Sequence, residues 1–361
     1  MEYILRGLTF LAGVILVVGT VFSALETFVL PRGVSDRLTR LVFLGIRLFI
    51  TLPLKRARTY EARDRIMAFY APLGLLALVP AWYIIIAIGY AMVYHSIGVI
   101  SWQDALLMSG SSLFTLGFEA PQGIPTALIV FSESIIGLIL VAMLIAYLPT
   151  MYAAFSRRES AVTMLEVRAG KPPSAIELLL RYHRIHGLQH LYELWLSWEN
   201  WFADIDESHT SLPPLVFFRS PQSYNSWVTS AGAVLDAASL TLAAIDIPSD
   251  PQAMLCIRAG FLALRHVADI FRLPYPPNPQ FPDEPISITR TEFDAAYEEL
   301  AKAGLPLKPD REKAWADFSG WRVNYDRALL GLCRLTIAPI APWSSDRVPQ
   351  SILPPVMFSR K

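Results

Sequence analysis

The chain is short of the residues that most often carry chemistry or staple a fold. Its 361 residues include two cysteines, Cys256 and Cys333. Their spacing fits neither a disulfide framework nor a zinc-finger pattern, so buried free thiols are expected. No charge is in excess: 31 basic and 31 acidic side chains cancel, and no global field favours nucleic acid. There is no Gly-rich phosphate loop, no Ser/His/Asp or Cys/His set placed for hydrolysis, no internal repeat and no strand-rich stretch. These gaps argue against an enzyme. Charged residues make up 17% of the chain against 53% hydrophobic, and mean hydropathy is +0.40. That balance excludes an ordinary soluble domain and predicts an integral membrane protein with a soluble part.

What is present begins with apolar runs. Residues 3–30 are long enough, at ~1.5 Å per residue, to span a ~30 Å hydrocarbon core. They lack a basic start and a small-residue cleavage site, which favours a retained helix over a signal peptide. Residues 31–65 carry Arg32, Arg37, Arg40, Arg47, Lys55, Arg56, Arg58, Arg63 and Arg65 against three acids. The positive-inside rule puts them in the cytoplasm and the N-terminus outside. Within them, 38–54 is apolar but interrupted by Arg40 and Arg47 and ended by Pro53. It reads as an amphipathic helix on the inner leaflet, with a full span as the alternative.

Residues 66–95 form a second span, with Tyr90 and Tyr94 suited to an outer aromatic belt. No Lys or Arg occurs in 97–124, as befits an external segment. Pro125 suits a first helical turn, and 125–156 form a third span that ends before Arg157 and Arg158. The expected product is a multi-pass protein of the cell's inner (plasma) membrane with a large cytoplasmic C-terminal part.

Between the last two spans, Ser101 is a candidate N-cap for a short helix beginning Trp102-Gln103-Asp104. The following stretch, 109–121, is rich in small residues, is too short to cross a bilayer, and is broken by Gly117, Ala120 and Pro121. Irregular backbone enters a membrane only where it lines a cavity or is covered by protein. A re-entrant loop is therefore expected at 101–121.

Span, short helix, loop and span is the order of a potassium-channel pore, and the residues carry the likeness further. Trp102-Gln103-Asp104-Ala105-Leu106 resembles that family's aromatic-x-Asp-Ala-Leu start of the pore helix. Ser112-Leu113-Phe114-Thr115-Leu116-Gly117-Phe118 resembles its Thr-x-Thr-Thr-Val-Gly-Tyr approach to the filter. The resemblance covers residues 66–156. It implies an all-α, bacterial-type two-transmembrane pore-loop domain and a homotetramer around a central pore. It also implies a selectivity filter in which the carbonyls of Thr115, Leu116, Gly117 and Phe118 replace an ion's hydration shell. Phe118 would then pack behind the filter.

The chain departs from the family at Glu119, where a second filter glycine is usual, and at Ala120, where an Asp is usual. A side chain at that glycine position is expected to cost on the order of 1 kcal/mol or more per subunit. Four Glu119 carboxylates would ring the outer mouth and attract cations. The permeant ion is then K+ or a mixture of monovalent cations, with no other cofactor.

Three residues of the third span are singled out. Glu133 is an intramembrane carboxylate. Either it bonds to the pore helix at Ser109, Ser111 or Ser112 and supports the filter, or it reaches external water. Gly137 lies where the family's inner helix has a hinge glycine, or marks a close helix contact. Pro149 either kinks the inner helix near its mouth or bends it away from the membrane.

Helical periodicity governs residues 159–337. A linking helix is expected over 159–169, and Ser174 opens a capping-box-like start. A long helix to about residue 204 should break near Gly187, and further helices should follow to residue 335. If that helix were continuous, His183, His186, His190 and Glu193 would share a face. They could hold a transition metal or be an ordinary solvated face. Trp195, Trp198, Trp201 and Phe202 are expected in a core or subunit interface. Arg181, Arg184, Arg219 and Arg258 follow no ordering motif. Residues 338–361 are Pro- and Ser-rich and read as a mobile tail.

The chain thus divides into 1–65 (first span and basic interfacial segment), 66–158 (pore domain), 159–337 (cytoplasmic helical domain, for assembly or gating by an unidentified ligand) and the tail. The expectation is a tetrameric cation channel whose partners are itself, the bilayer and monovalent cations. The rival is a non-conducting, membrane-anchored sensor or scaffold on a channel-like fold.

Overall fold

A computed structural model of the chain describes residues 2–28, 30, 37–98, 101–248 and 250–349. Arg32, on the basic segment, and residues 350–361 of the tail lie outside the described residues. The described chain is helical, and its one β feature is an isolated antiparallel bridge between Ile245 and Leu307. It forms two compact units: Met1–Ile46 with Pro72–Tyr152, and Arg47–Ala71 with Ala153–Lys361.

In the first unit, α1 (Glu2–Phe28), the start of α2 (Arg37–Arg56), α4 (Tyr70–Ser96), α5 (Trp102–Leu113) and most of the apolar part of α6 (Ile124–Ala169) pack together. Small residues let backbones approach. A Cβ on Gly13 of α1 would lie 2.6 Å from the Gly89 carbonyl of α4, and one on Gly74 would meet the Phe43 ring at 2.1 Å. Trp82 closes the contact by donating from Nε1 to Ser23 Oγ at 3.0 Å.

Helices α4 and α6 run antiparallel, as their paired contacts show: Tyr83 bonds to Gly137, Tyr90 to Ser132 and Tyr94 to Glu133. The outward faces of α1, α4 and α6 remain apolar and exposed, as at Leu11, Ile84, Leu128 and Ile145. Such surface suits hydrocarbon rather than water.

Four described helical stretches are long and apolar enough to cross a membrane: Glu2–Phe28, Tyr60–Ser96, Ile124–Ala169 and Trp227–Ala244. The second is not one helix. A turn at Ala68 and Phe69 separates α3 (Tyr60–Met67) from α4, so the continuous span expected over 66–95 begins instead at Tyr70. Helix α2, interrupted by Arg40 and Arg47, is not among the four. Helix α6 has 46 residues, about 69 Å at ~1.5 Å per residue, more than twice a ~30 Å core. It absorbs the linking helix expected over 159–169 and passes through Pro149 without ending there.

The second unit is a helical bundle built around α9 (Trp227–Ala244), of which every residue but Leu242 is buried. Around α9 pack α7 (Ala175–Arg184), α10 (Pro251–Ile270), α12 (Arg311–Arg322) and α13 (Asp326–Thr336). Helix α8 (Leu191–Ser211) lies against α10, and α11 (Arg290–Lys302) against α7. The apolar character of α9 is that of a core helix enclosed by its own unit.

Asp236, midway along α9, is paired with Arg322 of α12, which also bonds to Asp326 at 2.8 Å and to the Trp343 carbonyl at 2.7 Å. All three charged groups are at most 1% exposed. Their mutual attraction and hydrogen bonds offset the cost of desolvation. Two expectations change here. Residues 338–349 are not a free tail: Ala338, Ala341, Trp343, Ser344 and Ser345 are buried in this unit. Residues 47–71 pack with it as well, although their position before the second span grouped most of them with the membrane segments.

Candidate functional site

The loop after α5 is built from that helix outward. Ser101 caps α5, accepting from the Asp104 amide at 3.0 Å, as its position before Trp102 predicts. At the other end the chain folds back on Ser111. The amides of Leu116 and Gly117 donate to the Ser111 carbonyl at 2.8 and 3.4 Å, and the Glu119 amide donates to Ser111 Oγ at 3.1 Å. The Thr115 amide donates to the Ser112 carbonyl at 3.0 Å.

Backbone donors of the loop are therefore turned toward α5. Among the described residues nothing donates to the carbonyls of Thr115, Leu116, Gly117 or Phe118, and all four residues are exposed. In one chain these carbonyls have no protein donor among the described residues and face outward.

Alternate residues take positive φ: Thr115 at 55° and Gly117 at 71°. Glycine reaches this region freely, but a β-branched residue there stores strain on the order of 1–3 kcal/mol. The strain expected at Glu119 is not found there, since Glu119 does not have positive φ; it sits four residues earlier. Phe118 is 58% exposed, so within its own chain it does not pack behind the loop. Glu119 and Asp104 line one hollow of about 350 Å³ together with Ile97, Met108 and Gln122.

Behind α5 stands a buried polar contact. Glu133 of α6 is fully buried. One carboxylate oxygen accepts from Ser109 Oγ of α5, and the other accepts from Tyr94 Oη of α4 at 2.8 Å. The contact with α5 is the one expected at Ser109; the Tyr94 partner was not expected. Ser111 supports the loop directly. The Ser112 hydroxyl turns back to the Met108 carbonyl at 2.8 Å, while its own carbonyl accepts from Ser134 Oγ of α6 at 2.9 Å.

Gly137 is a close contact: a Cβ there would sit 2.3 Å from the Leu113 carbonyl, the last residue of α5. Its own carbonyl accepts from Tyr83 Oη at 2.6 Å. The Tyr83 ring in turn lies 5.1 Å from that of Phe114. Three helices thus fix one end of the loop.

The proposed metal ligands are not brought together. Helix α7 ends at Arg184, His186 takes φ 55°, and a 3-10 turn at Leu188–His190 precedes α8. The single helical face on which His183, His186, His190 and Glu193 were placed does not exist, because the break near Gly187 changes the helical phase. Among the described residues no group of three His, Cys, Asp or Glu side chains could hold a metal ion. Trp195, Trp198, Trp201 and Phe202 are buried in the core of the helical unit.

Two arginines carry more structure than any motif suggested. Arg158 of α6 is 0% exposed, pairs with Glu159 at 2.7 Å and meets His209 Nε2 at 3.2 Å. Burial, and then the Arg158 charge, hold the His209 pKa well below its ordinary 6.5. Arg219 pairs with Asp64 of α3 at 3.2 Å.

Compared with known proteins, the chain matches no protein-family model, no curated protein and no solved structure.

Proposed function

We propose that this protein is a pore-loop cation channel, potassium-channel-like, in which four copies surround a pore lined by residues 115–119. The observation that carries this reading is the loop after α5. Amides of Thr115, Leu116, Gly117 and Glu119 are held by Ser111 and Ser112, while the carbonyls of Thr115, Leu116, Gly117 and Phe118 have no protein donor among the described residues and are exposed. Turned toward a common axis by four copies, these carbonyls would replace an ion's hydration shell.

The apolar outer faces of α1, α4 and α6 support a membrane location. The basic segment 31–65 orients the chain with its N-terminus outside and the helical unit in the cytoplasm. Glu133, Tyr94 and Ser109 fix α5 between α4 and α6, and Glu119 places a carboxylate at the entrance. Permeation by K+ or by mixed monovalent cations follows, with the helical unit serving assembly or gating. Pro149 is the point of α6 at which bending would open or close the path, while the Gly137 contact holds α6 against the end of α5.

The test is reconstitution in liposomes, with potassium and sodium flux measured for the unmodified protein and for Glu119→Gly, and subunit number measured by mass. A tetramer passing cations, with greater potassium preference in Glu119→Gly, is expected. A tetramer in which neither version passes cations would instead establish the non-conducting sensor or scaffold.

A further inference from the structure

Residues 215–219 of the helical unit touch both helices that bracket the loop. Arg158 of α6 donates from Nη1 to the Leu215 carbonyl at 2.9 Å and from Nη2 to the Phe218 carbonyl at 2.7 Å. The Phe155 ring, one turn earlier on α6, lies 5.9 Å from that of Phe218. On the other side, Arg219 holds Asp64 at 3.2 Å and reaches Tyr60 Oη at 3.5 Å, both on α3. Phe217 meets the ring of Tyr70, the first residue of α4, edge-on at 5.8 Å.

Three of these residues, Val216, Phe217 and Arg219, are also fastened to the bundle core. Trp227 of α9 donates to the Val216 carbonyl at 3.3 Å, and Phe217 also meets Phe271, just past α10, at 5.3 Å. Arg219 donates to the carbonyls of Thr336 and Ile337 at the end of α13, at 2.5 and 3.0 Å. Leu215, Val216 and Phe217 are at most 3% exposed. Buried, hydrogen-bonded contacts of this kind shift between discrete arrangements and do not yield by degrees.

We propose that residues 215–219 are a coupling strap. They join α3 and the first residue of α4 to residues 155–158 of α6, so that a displacement of the bundle core moves these two segments together. The mechanical claim stands on the packing of one unit. That the motion controls ion flow rests on the channel reading.

The test uses the full chain in nanodiscs, with hydrogen exchange followed by mass spectrometry, on Asp64→Asn and on the charge-conserving Asp64→Glu. Losing the charged partner of Arg219 loosens the strap at its last residue, next to the carbonyl that Arg158 holds. Asp64→Asn is expected to raise exchange about tenfold in residues 60–75 and also in 150–160, with α9 and α10 unchanged. Asp64→Glu restores slow exchange in both. A rise confined to 60–67, or none, overturns the proposal.

If Asp64→Asn also speeds α9, Phe217→Leu decides: it must raise exchange in 60–75 and 150–160 together, and failure to do so overturns the strap. Flux is read alongside. A silent unmodified protein sinks the channel reading and leaves the exchange result standing.

Discussion

Replacing Gly137 by alanine sets two effects of opposite sign against each other. Glycine inside a helix costs about 1 kcal/mol relative to alanine, so propensity alone makes the change stabilising. The surroundings of Gly137 argue the reverse. An alanine Cβ would lie 2.3 Å from the Leu113 carbonyl oxygen, and that neighbour is backbone, not the end of a flexible side chain. Relief needs a shift of about 1 Å, and neither side is free to give one. Leu113 ends α5, whose next residues are tied to Ser111 and Ser112, and the Gly137 carbonyl is bonded to Tyr83 at 2.6 Å.

Overpacking of this kind costs about 1–3 kcal/mol, and a backbone contact belongs at the upper end. The net expectation is a destabilisation of about 1–2 kcal/mol. Gly19 of α1 is the control, since a Cβ there meets nothing within 4 Å. Gly19→Ala should stabilise by about 1 kcal/mol. Unfolding in detergent, followed by far-UV circular dichroism, reads both, and hydrogen exchange at Leu116 and Gly117 reads the loop. A Gly137→Ala protein as stable as the parent, with Gly19→Ala behaving as expected, would refute the close-contact account.

Glu133→Leu should cost about 1–3 kcal/mol, because it removes the acceptor of the buried Tyr94 hydroxyl, while Ser109 Oγ keeps the Ala87 carbonyl at 3.1 Å. Glu133→Gln, which keeps an oxygen for Tyr94, should cost less than half as much; equal losses in the same unfolding assay would show that the hydrogen bonds are not what matters. The helical unit should weaken as pH falls below about 6.5. Unfolded His209 gains a proton there while the buried folded form does not, giving a slope approaching 1.4 kcal/mol per pH unit. Denaturation from pH 7 to 5, followed by tryptophan fluorescence, checks this, and His209→Asn should remove that part of the slope. An unchanged slope in the variant would place the sensitivity elsewhere.

The parts of the fold legible in sequence were those set by local rules. Ser101 and Ser174 announced helix starts through capping, and the Lys- and Arg-free stretch with its small residues marked the loop after α5. Glu133 stood out as a carboxylate in an apolar run. Its Tyr94 partner did not, because nothing local connects residues on separate helices. The Arg219–Asp64 pair was hidden for the same reason, and with it the attachment of 47–71 to the helical unit.

The histidine face failed through helical phase: four residues at good spacing share a side only if no break intervenes, and His186 with Gly187 supplies one. Helix α9 carries little periodic signal, since burial on every side removes the contrast between faces. The strain placed at Glu119 by family likeness lies at Thr115 instead, a consequence of how the loop folds back on Ser111.

Cation flux from proteoliposomes, compared between the unmodified protein and Gly117→Ala, tests the ion path most directly. Gly117 holds φ 71°, which alanine disfavours, so the substitution disturbs the carbonyl row without touching a charge. The expected result is flux from the unmodified protein and its loss in Gly117→Ala, with assembly intact. No flux from the unmodified protein, or equal flux from both, would contradict the assignment of Thr115 to Phe118 as the path.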